Sequence, residues 1–320
     1  MLNKLKIDET EELKKLERQS KHLTKLREKL AKNKGVPKVN LPALARRDTR
    51  FMECWEADPG YVFVSSDFSS LEPSITAHFS QDQNYMYATY GGIGKRPWID
   101  DMGILMIDDI YLMTASKLPG LREPVIEYFS DPKNCDLWMQ DPEICKEDPK
   151  IKGPRKQAKP ACLGFNYGMG PRRFVTQCYD AGISVSYRDA KAMYKAYWEL
   201  FKGIQSLVKK LELHTKKNHF IENPFGYRLT TEPHKAYNAF IQSSASGVVD
   251  LFCLKFFEEC PDIKFIALIH DEVVYAVPEH RLEEVKEIQK QCVTWLNQEL
   301  KFTIPMRLGF VPAKTFADIK

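Results

Sequence analysis

The sequence predicts an α+β fold: a small antiparallel sheet whose strand ends carry carboxylates, with a long and mainly helical segment inserted between its strands. Three stretches carry that expectation. Residues 265–269 and 273–277 are apolar, β-branched runs of strand length, and they flank His270, Asp271 and Glu272. Residues 61–66, Tyr-Val-Phe-Val-Ser-Ser, form a similar run and deliver Asp67, followed by Phe68-Ser-Ser-Leu-Glu72. Between these two regions the apolar residues recur at helical rather than alternating spacing.

Asp and Glu are disfavoured in strands, and adjacent carboxylates repel unless a cation offsets them. His270, Asp271 and Glu272, placed at a hairpin tip, therefore ask for a metal or a basic partner. Taken alone, a solvated turn between ordinary strands explains the triplet as well. Asp67 shifts the balance. Two strands that each end in Asp suit a two-metal phosphoryl-transfer site, where oxygen-liganded divalent ions roughly 3.5–4 Å apart are bridged by carboxylates from neighbouring segments.

A content of 43% hydrophobic and 28% charged residues in 320 excludes a disordered chain. The net charge of +4 permits a nucleic-acid partner without demanding one. Eight cysteines without a Cys-x-x-Cys spacing argue for reduced thiols, against a disulfide frame or a zinc ribbon. Cys135 and Cys145 come nearest to a metal pair, and only weakly. No apolar run approaches the ~20 residues of a membrane helix, and nothing marks the chain for export, so a cytoplasmic location without a membrane partner is expected.

Taken in order, residues 1–35 read as an amphipathic helical arm, with Leu13, Leu16, Leu23, Leu26 and Leu30 as a narrow stripe. Such a stripe needs the body of the protein or a partner chain to cover it. Gly and Pro break the pattern at 35–42, and Arg46, Arg47 and Arg50 either contact phosphates or form a solvated loop. Helices are expected over 71–80 and 108–117, separated by Gly and Pro at 91–97. Prolines at 119, 124, 132, 142, 149 and 154 suggest a surface insertion of loops and short helices, either a binding loop or variable decoration.

From 155 to 170, Arg155, Lys159, Leu163 and Tyr167 recur every four residues, so a helix there would place two cations, an apolar and an aromatic group along one slowly rotating face. That face could hold a triphosphate at one end and a base at the other; a solvated basic face is the plainer alternative. Pro160 predicts a helix start or kink nearby. Residues 188–217 carry a core stripe that includes Met193, Tyr197, Trp198 and Phe201. A turn at 223–229 precedes a helix from about 234 to 257, on which His234, Asn238 and Gln242 share a face. Neutral amides there suit a minor groove, whose acceptors occur on every base pair. A helix over 279–300 and a terminal strand or tail at 302–310 complete the chain.

At these positions the chain resembles the polymerase module of the family A DNA polymerases, the bacterial DNA polymerase I type. Asp67-Phe-Ser-Ser-Leu-Glu72, with Ala77-His-Phe-Ser80, resembles the family's first palm motif; Arg155 to Gly168 resembles its fingers helix; Asn238-Ala-Phe-Ile-Gln242 its primer-template helix; and His270-Asp-Glu272 its second palm motif. Four matches in the right order cover roughly residues 40–320. The resemblance implies a palm at 40–90 and 234–320 and fingers with an irregular insertion at 91–233, and it leaves the helical arm at 1–39 unmatched. It implies template-directed DNA synthesis, adding deoxynucleoside monophosphates to a primer 3′-hydroxyl with release of pyrophosphate. Primer-template DNA and dNTPs are the implied partners.

The family's roles carry over residue by residue. Asp67, Asp271 and the carbonyl of Phe68 would hold two Mg²⁺ ions. Arg155 and Lys159 would bind the β and γ phosphates, with Lys159 also protonating the departing pyrophosphate. Tyr167 would stack near the templating base, and Gly168 would allow the turn that follows. Glu72 would exclude a ribose 2′-hydroxyl. Asn238 and Gln242 would contact DNA, His270 would position the primer end, and Glu272 would be a supporting carboxylate.

The departures are specific. Leu163 stands where the family usually has Phe or Tyr, Ser74 follows Pro73 where a basic residue is usual, Tyr111 replaces a phosphate-contacting His, and His234 an Arg. Residues before 40 leave no room for a thumb or a 3′–5′ exonuclease domain, so both are expected to be absent from the chain; either the chain is a fragment or a second polypeptide supplies them, and a phage-like split enzyme is the expectation. A non-catalytic DNA-binding or scaffolding subunit is the alternative from another class, and an RNA polymerase is disfavoured by Glu72.

Overall fold

In a computed structural model describing residues 53–180 and 182–319, the β-rich runs meet in one antiparallel sheet. Its strands are β1 (Tyr61–Asp67), β2 (Lys264–Ile269), β3 (Glu272–Pro278) and β4 (Val311–Ala313). Their order is β2-β3-β1-β4, which makes β1 and β3 the central pair. Side chains alternate between the sheet's faces. Val64, Val273, Tyr275 and Val277 enter the main core, whereas Phe63, Val274 and Ala276 join Ala313, Phe316 and Ile319 in a smaller cluster on the other face. Both faces are covered, which is why the run in β3 reads as continuously apolar.

The hairpin tip is narrower than the sequence suggests. Ile269 pairs with Glu272, so only His270 and Asp271 form the turn and Glu272 opens β3. His270 has φ 59°, a conformation that glycine ordinarily supplies at the first position of a type II′ turn.

The α-helices of more than one turn are α1 (Leu71–Ser80), α2 (Ile110–Ala115), α3 (Arg122–Ser130), α4 (Pro132–Gln140), α5 (Pro142–Glu147), α6 (Pro149–Asn166), α7 (Pro171–Asp180), α8 (Tyr187–Leu200), α9 (Lys202–Asn218), α10 (Ala236–Glu259) and α11 (Leu282–Leu300). The periodicity expected over 188–217 is divided between α8 and α9 at Phe201. Instead of a strand at 302–310, Leu308 makes an isolated bridge with Phe68 and the strand follows at β4. α10 is a core helix, burying Tyr237, Ile241, Val248, Phe252 and Phe256 against α1, α9 and α11, with Gln242, Glu258 and Glu259 exposed. With the 3₁₀ turn before it, this helix is long and apolar enough, by length and composition alone, to cross a membrane, against the expectation that no apolar run approaches that length. The arm at 1–39 and Arg46, Arg47 and Arg50 lie outside the described residues.

The stretch at 119–154 is not surface decoration. Three of its prolines open helices as the first helical residue, each after an Asp: Asp131 accepts from the backbone of Lys133, Asp141 from Glu143 and Ile144, and Asp148 from Lys150. Val125, Phe129, Trp138, Cys145 and Ile151 are buried, and α3 and α5 pack on α6. Consequently α6 starts six residues before Arg155 and continues through Pro154 and Pro160. The carbonyls that those prolines leave unbonded belong to Lys150 and Lys156, both exposed to water.

Asp148→Ala should lower the free energy of urea unfolding by about 1 kcal/mol, whereas Asp148→Asn, an equally good cap, should change it by only a few tenths. Equal stability of wild type and the Ala variant would show that this cap does not hold α6.

Candidate active site

The strand register sets the acidic cluster. Asp67 is the last residue of β1 and pairs with Glu272, while the Phe68 amide donates to the Asp271 carbonyl at 3.3 Å. Ser65 Oγ donates to Glu272 Oε1 at 2.6 Å. Three carboxylates are thereby gathered at one end of the sheet. Partial withdrawal from water, then the negative charges of Asp271 and Glu272, raise the Asp67 carboxyl above its ordinary range. Glu72, in the first turn of α1, is raised by burial and by Asp271, with His270 acting the other way. His270 and Asp271 thus lie close enough to Glu72 to influence its charge.

Behind Asp67 lies a buried polar network. Gln289 of α11 accepts at Oε1 from Ser66 Oγ and Tyr275 Oη, both at 2.6 Å. Its Nε2 donates to the Gly309 carbonyl at 2.9 Å, and the Gly309 amide donates to the Asp67 carbonyl at 2.9 Å. Every polar atom of the Gln289 amide group has a partner, so the strand end is fixed by directional bonds as well as by packing. Nothing in the sequence marks Gln289, since one Gln within an amphipathic helix has no distinguishing pattern.

The expected α6 face is real. Arg155 and Tyr167 are half-buried and Lys159 and Leu163 exposed, while Ala158, Ala161, Cys162 and Phe165 take the buried side. Tyr167 Oη donates to Glu72 Oε2, which joins the C-terminal end of α6 to α1. Gly168 follows with φ 80°, as a tight turn requires. Arg155 and Lys159 lie roughly 18 and 12 Å from Tyr167 by helical rise. They gather around α2: Arg155 pairs with Asp109 at 2.9 Å, and both cations lie over the Tyr111 ring. Asp109, which caps α2, has no local sequence feature to announce its pairing with Arg155.

On α10, Asn238 is half-buried with its Oδ1 shut away from water, and Gln242 is exposed one turn on. His234 sits in the 3₁₀ turn before α10, exposed and 3.5 Å from Glu232. Phe68 is buried edge-on against Phe252, at a centroid distance of 5.6 Å. Among the described residues no group of three or more His, Cys, Asp or Glu side chains forms a metal-ready cluster.

A carboxylate-bearing antiparallel sheet joined through Glu72 and Tyr167 to a cationic helix defines a palm-and-fingers protein. The fold matches that class: the polymerase domain of Pol1 from M. smegmatis, solved with DNA primer-template and dNTP, aligns with a TM-score of 0.61 at 17% identity, covering 85% of this chain and 43% of that one. The DNA polymerase of Mycobacterium phage D29 is 28% identical over 247 residues, 76% of this chain and 33% of that protein. The thermostable DNA polymerase I of Thermus filiformis is 23% identical over 269 residues, 79% of this chain and 27% of that protein. The sequence profile of DNA polymerase family A matches residues 143–318. The chain belongs to DNA polymerase family A, and it spans about a third or less of the length of these curated relatives. They carry the matched region within a longer chain, and the expectation of a second polypeptide gains no support from them.

The raised Asp67 carboxyl has a definite sign. Its ionised form is disfavoured in the folded state, so the penalty is absent below the ordinary value of 3.8 and grows as pH rises through the higher folded value. Without divalent cations, Asp67→Asn should therefore raise the thermal midpoint at pH 7, with the gain shrinking as pH falls towards 3.8. A lower midpoint for the variant at pH 7 would contradict the electrostatic account.

Proposed function

We propose that this chain carries the palm and fingers of a family A DNA polymerase and performs template-directed DNA synthesis, joining deoxynucleoside monophosphates to a primer 3′-hydroxyl with release of pyrophosphate. The carrying observation is the meeting of Asp67 and Asp271, from opposite ends of the described chain, at one sheet end with Glu272 beside them.

The donor set fits divalent ions. The charges that act on Asp67 are both negative, so a cation is what the cluster lacks. Mg²⁺ is commonly held by one or two carboxylates together with substrate phosphates and water, which suits a site without a preformed cage of three side chains. Asp67, Asp271 and the Phe68 carbonyl would hold two Mg²⁺ ions, which when bound supply acidification of the primer hydroxyl and charge neutralisation at the leaving group.

The side chains do the rest. Arg155 and Lys159 bind the β and γ phosphates, and Lys159 gives a proton to the departing pyrophosphate. Tyr167 packs near the templating base. Leu163, exposed on the same α6 face, lies beside the incoming nucleotide. Glu72, held by Tyr167, blocks the position of a ribose 2′-hydroxyl. Asn238 and Gln242 contact the minor groove, His270 positions the primer end, and Glu272 supports the carboxylate pair. Eight cysteines without a Cys-x-x-Cys spacing support action in a reducing compartment such as a bacterial cytoplasm.

Primer extension by the purified chain with Mg²⁺ and dNTPs tests the reading. Asp271→Asn should reduce the rate by on the order of 10³-fold or more, because a metal-bridging carboxylate supplies several kcal/mol. Glu72→Ala should raise ribonucleotide incorporation relative to deoxyribonucleotide by roughly tenfold or more. Primer-template binding without extension by wild type would instead favour a non-catalytic DNA-binding role.

A further inference from the structure

We propose that Tyr111 and Asp109 are positioning residues that preset Arg155 and Lys159 as one cation pair for a triphosphate; this rests on the reading above in assigning those two cations to phosphate. Tyr111 is the second residue of α2, which packs along α6. Its ring centroid is 5.2 Å from Arg155 Cζ and 5.7 Å from Lys159 Nζ. Both lie within the ~6 Å reach of a cation–π interaction. One aromatic ring thus attracts two like charges standing one helical turn apart, which would otherwise repel each other.

Asp109 fixes the same arrangement from the other side. It is buried, its Oδ1 accepts from the Leu112 amide at 2.8 Å to cap α2, and its Oδ2 accepts from Arg155 Nε at 2.9 Å. Held at Nε, the guanidinium keeps its terminal nitrogens for a ligand, and a planar fork so held suits phosphate oxygens. One turn along α2, Cys162 Sγ lies 3.1 Å from Thr114 Oγ1 in the buried α2–α6 contact, so the register of the ring beneath the cations is secured. Burial pushes the Tyr111 phenol up, which keeps the ring neutral. Ser74, on α1, is buried and offers phosphate nothing.

The role assigned to Tyr111 belongs to its ring, not its hydroxyl. Calorimetric titration of the purified chain with dATP and Mg²⁺, without DNA, separates the two. Tyr111→Leu should weaken binding by about tenfold, the loss of two cation–π contacts. Tyr111→Phe should stay within about twofold of wild type, and Asp109→Asn should weaken binding severalfold. Inorganic tripolyphosphate should give the same ratios, because the effect acts on phosphate rather than base. Should Tyr111→Leu fail to fold by circular dichroism, Tyr111→Met replaces it, and the Phe variant remains decisive. Equal affinities for Leu and wild type, a Phe variant as weak as Leu, or no triphosphate binding by wild type would each overturn the inference. A chain that binds dATP with the expected ratios and extends no primer would sink the proposed function alone.

Discussion

Everything at the acidic end of this protein depends on the register between β1 and β3. With Asp67 opposite Glu272 and Tyr61 opposite Pro278, the alternation of both strands sends one set of side chains into each core. A slip by one residue would exchange the two sets, placing Val64 where Phe63 packs, and would move Asp67 away from Asp271. The hydrophobic pattern that holds the sheet is therefore the same device that aligns the carboxylates. No separate framework is needed to bring the two ends of the chain together.

That alignment works against stability. Asp67 and Glu72 both resist ionisation where they sit, through burial and through neighbouring negative charge. The structure answers with satisfied polar contacts just behind the cluster: the Gln289 network holds the end of β1, and Ser65 holds Glu272. Such bonds do not neutralise the charge. They prevent the repelling groups from relaxing apart, which is what keeps an anionic cluster available to a cation.

The sheet and its carboxylates were legible because each rests on a local signal, a β-branched run or an acidic residue at its end. The α6 face was legible from spacing alone, since Arg155, Lys159, Leu163 and Tyr167 follow the helical period. Over 119–154 the short helices agree with the sequence reading and the surface placement does not: Asp-Pro pairs at 131, 141 and 148 are start signals in which the ring occupies the one position where a missing N–H costs nothing, and the helices they open pack into the core. Of the two readings for 302–310 the tail is the one observed, and the strand just beyond it at 311–313 is hard to see because three residues pairing on a sheet edge carry almost no pattern of their own. Gln289 and Asp109 were out of reach for a different reason: their importance lies in partners far along the chain, and a single sequence does not encode which partners those are.

The two contacts at the ends of the α6 functional face explain how the remaining parts relate. Tyr167 is bonded to Glu72 of α1, and Arg155 to Asp109 at the start of α2. Both contacts occupy groups that the proposed reaction assigns to substrate. Under the proposed function a nucleotide would therefore meet groups already held by polar contacts rather than bare ones. Nε of Arg155 need not be released, because the terminal nitrogens meet the phosphate while Asp109 keeps its hold. At the other end Tyr167 holds only Oε2 of Glu72, and a carboxylate with two oxygens keeps Oε1 for a further contact. Under the proposed function both ends of the α6 face would therefore meet a nucleotide as prearranged groups, with phosphate at Arg155 and Lys159 and the sugar at Glu72.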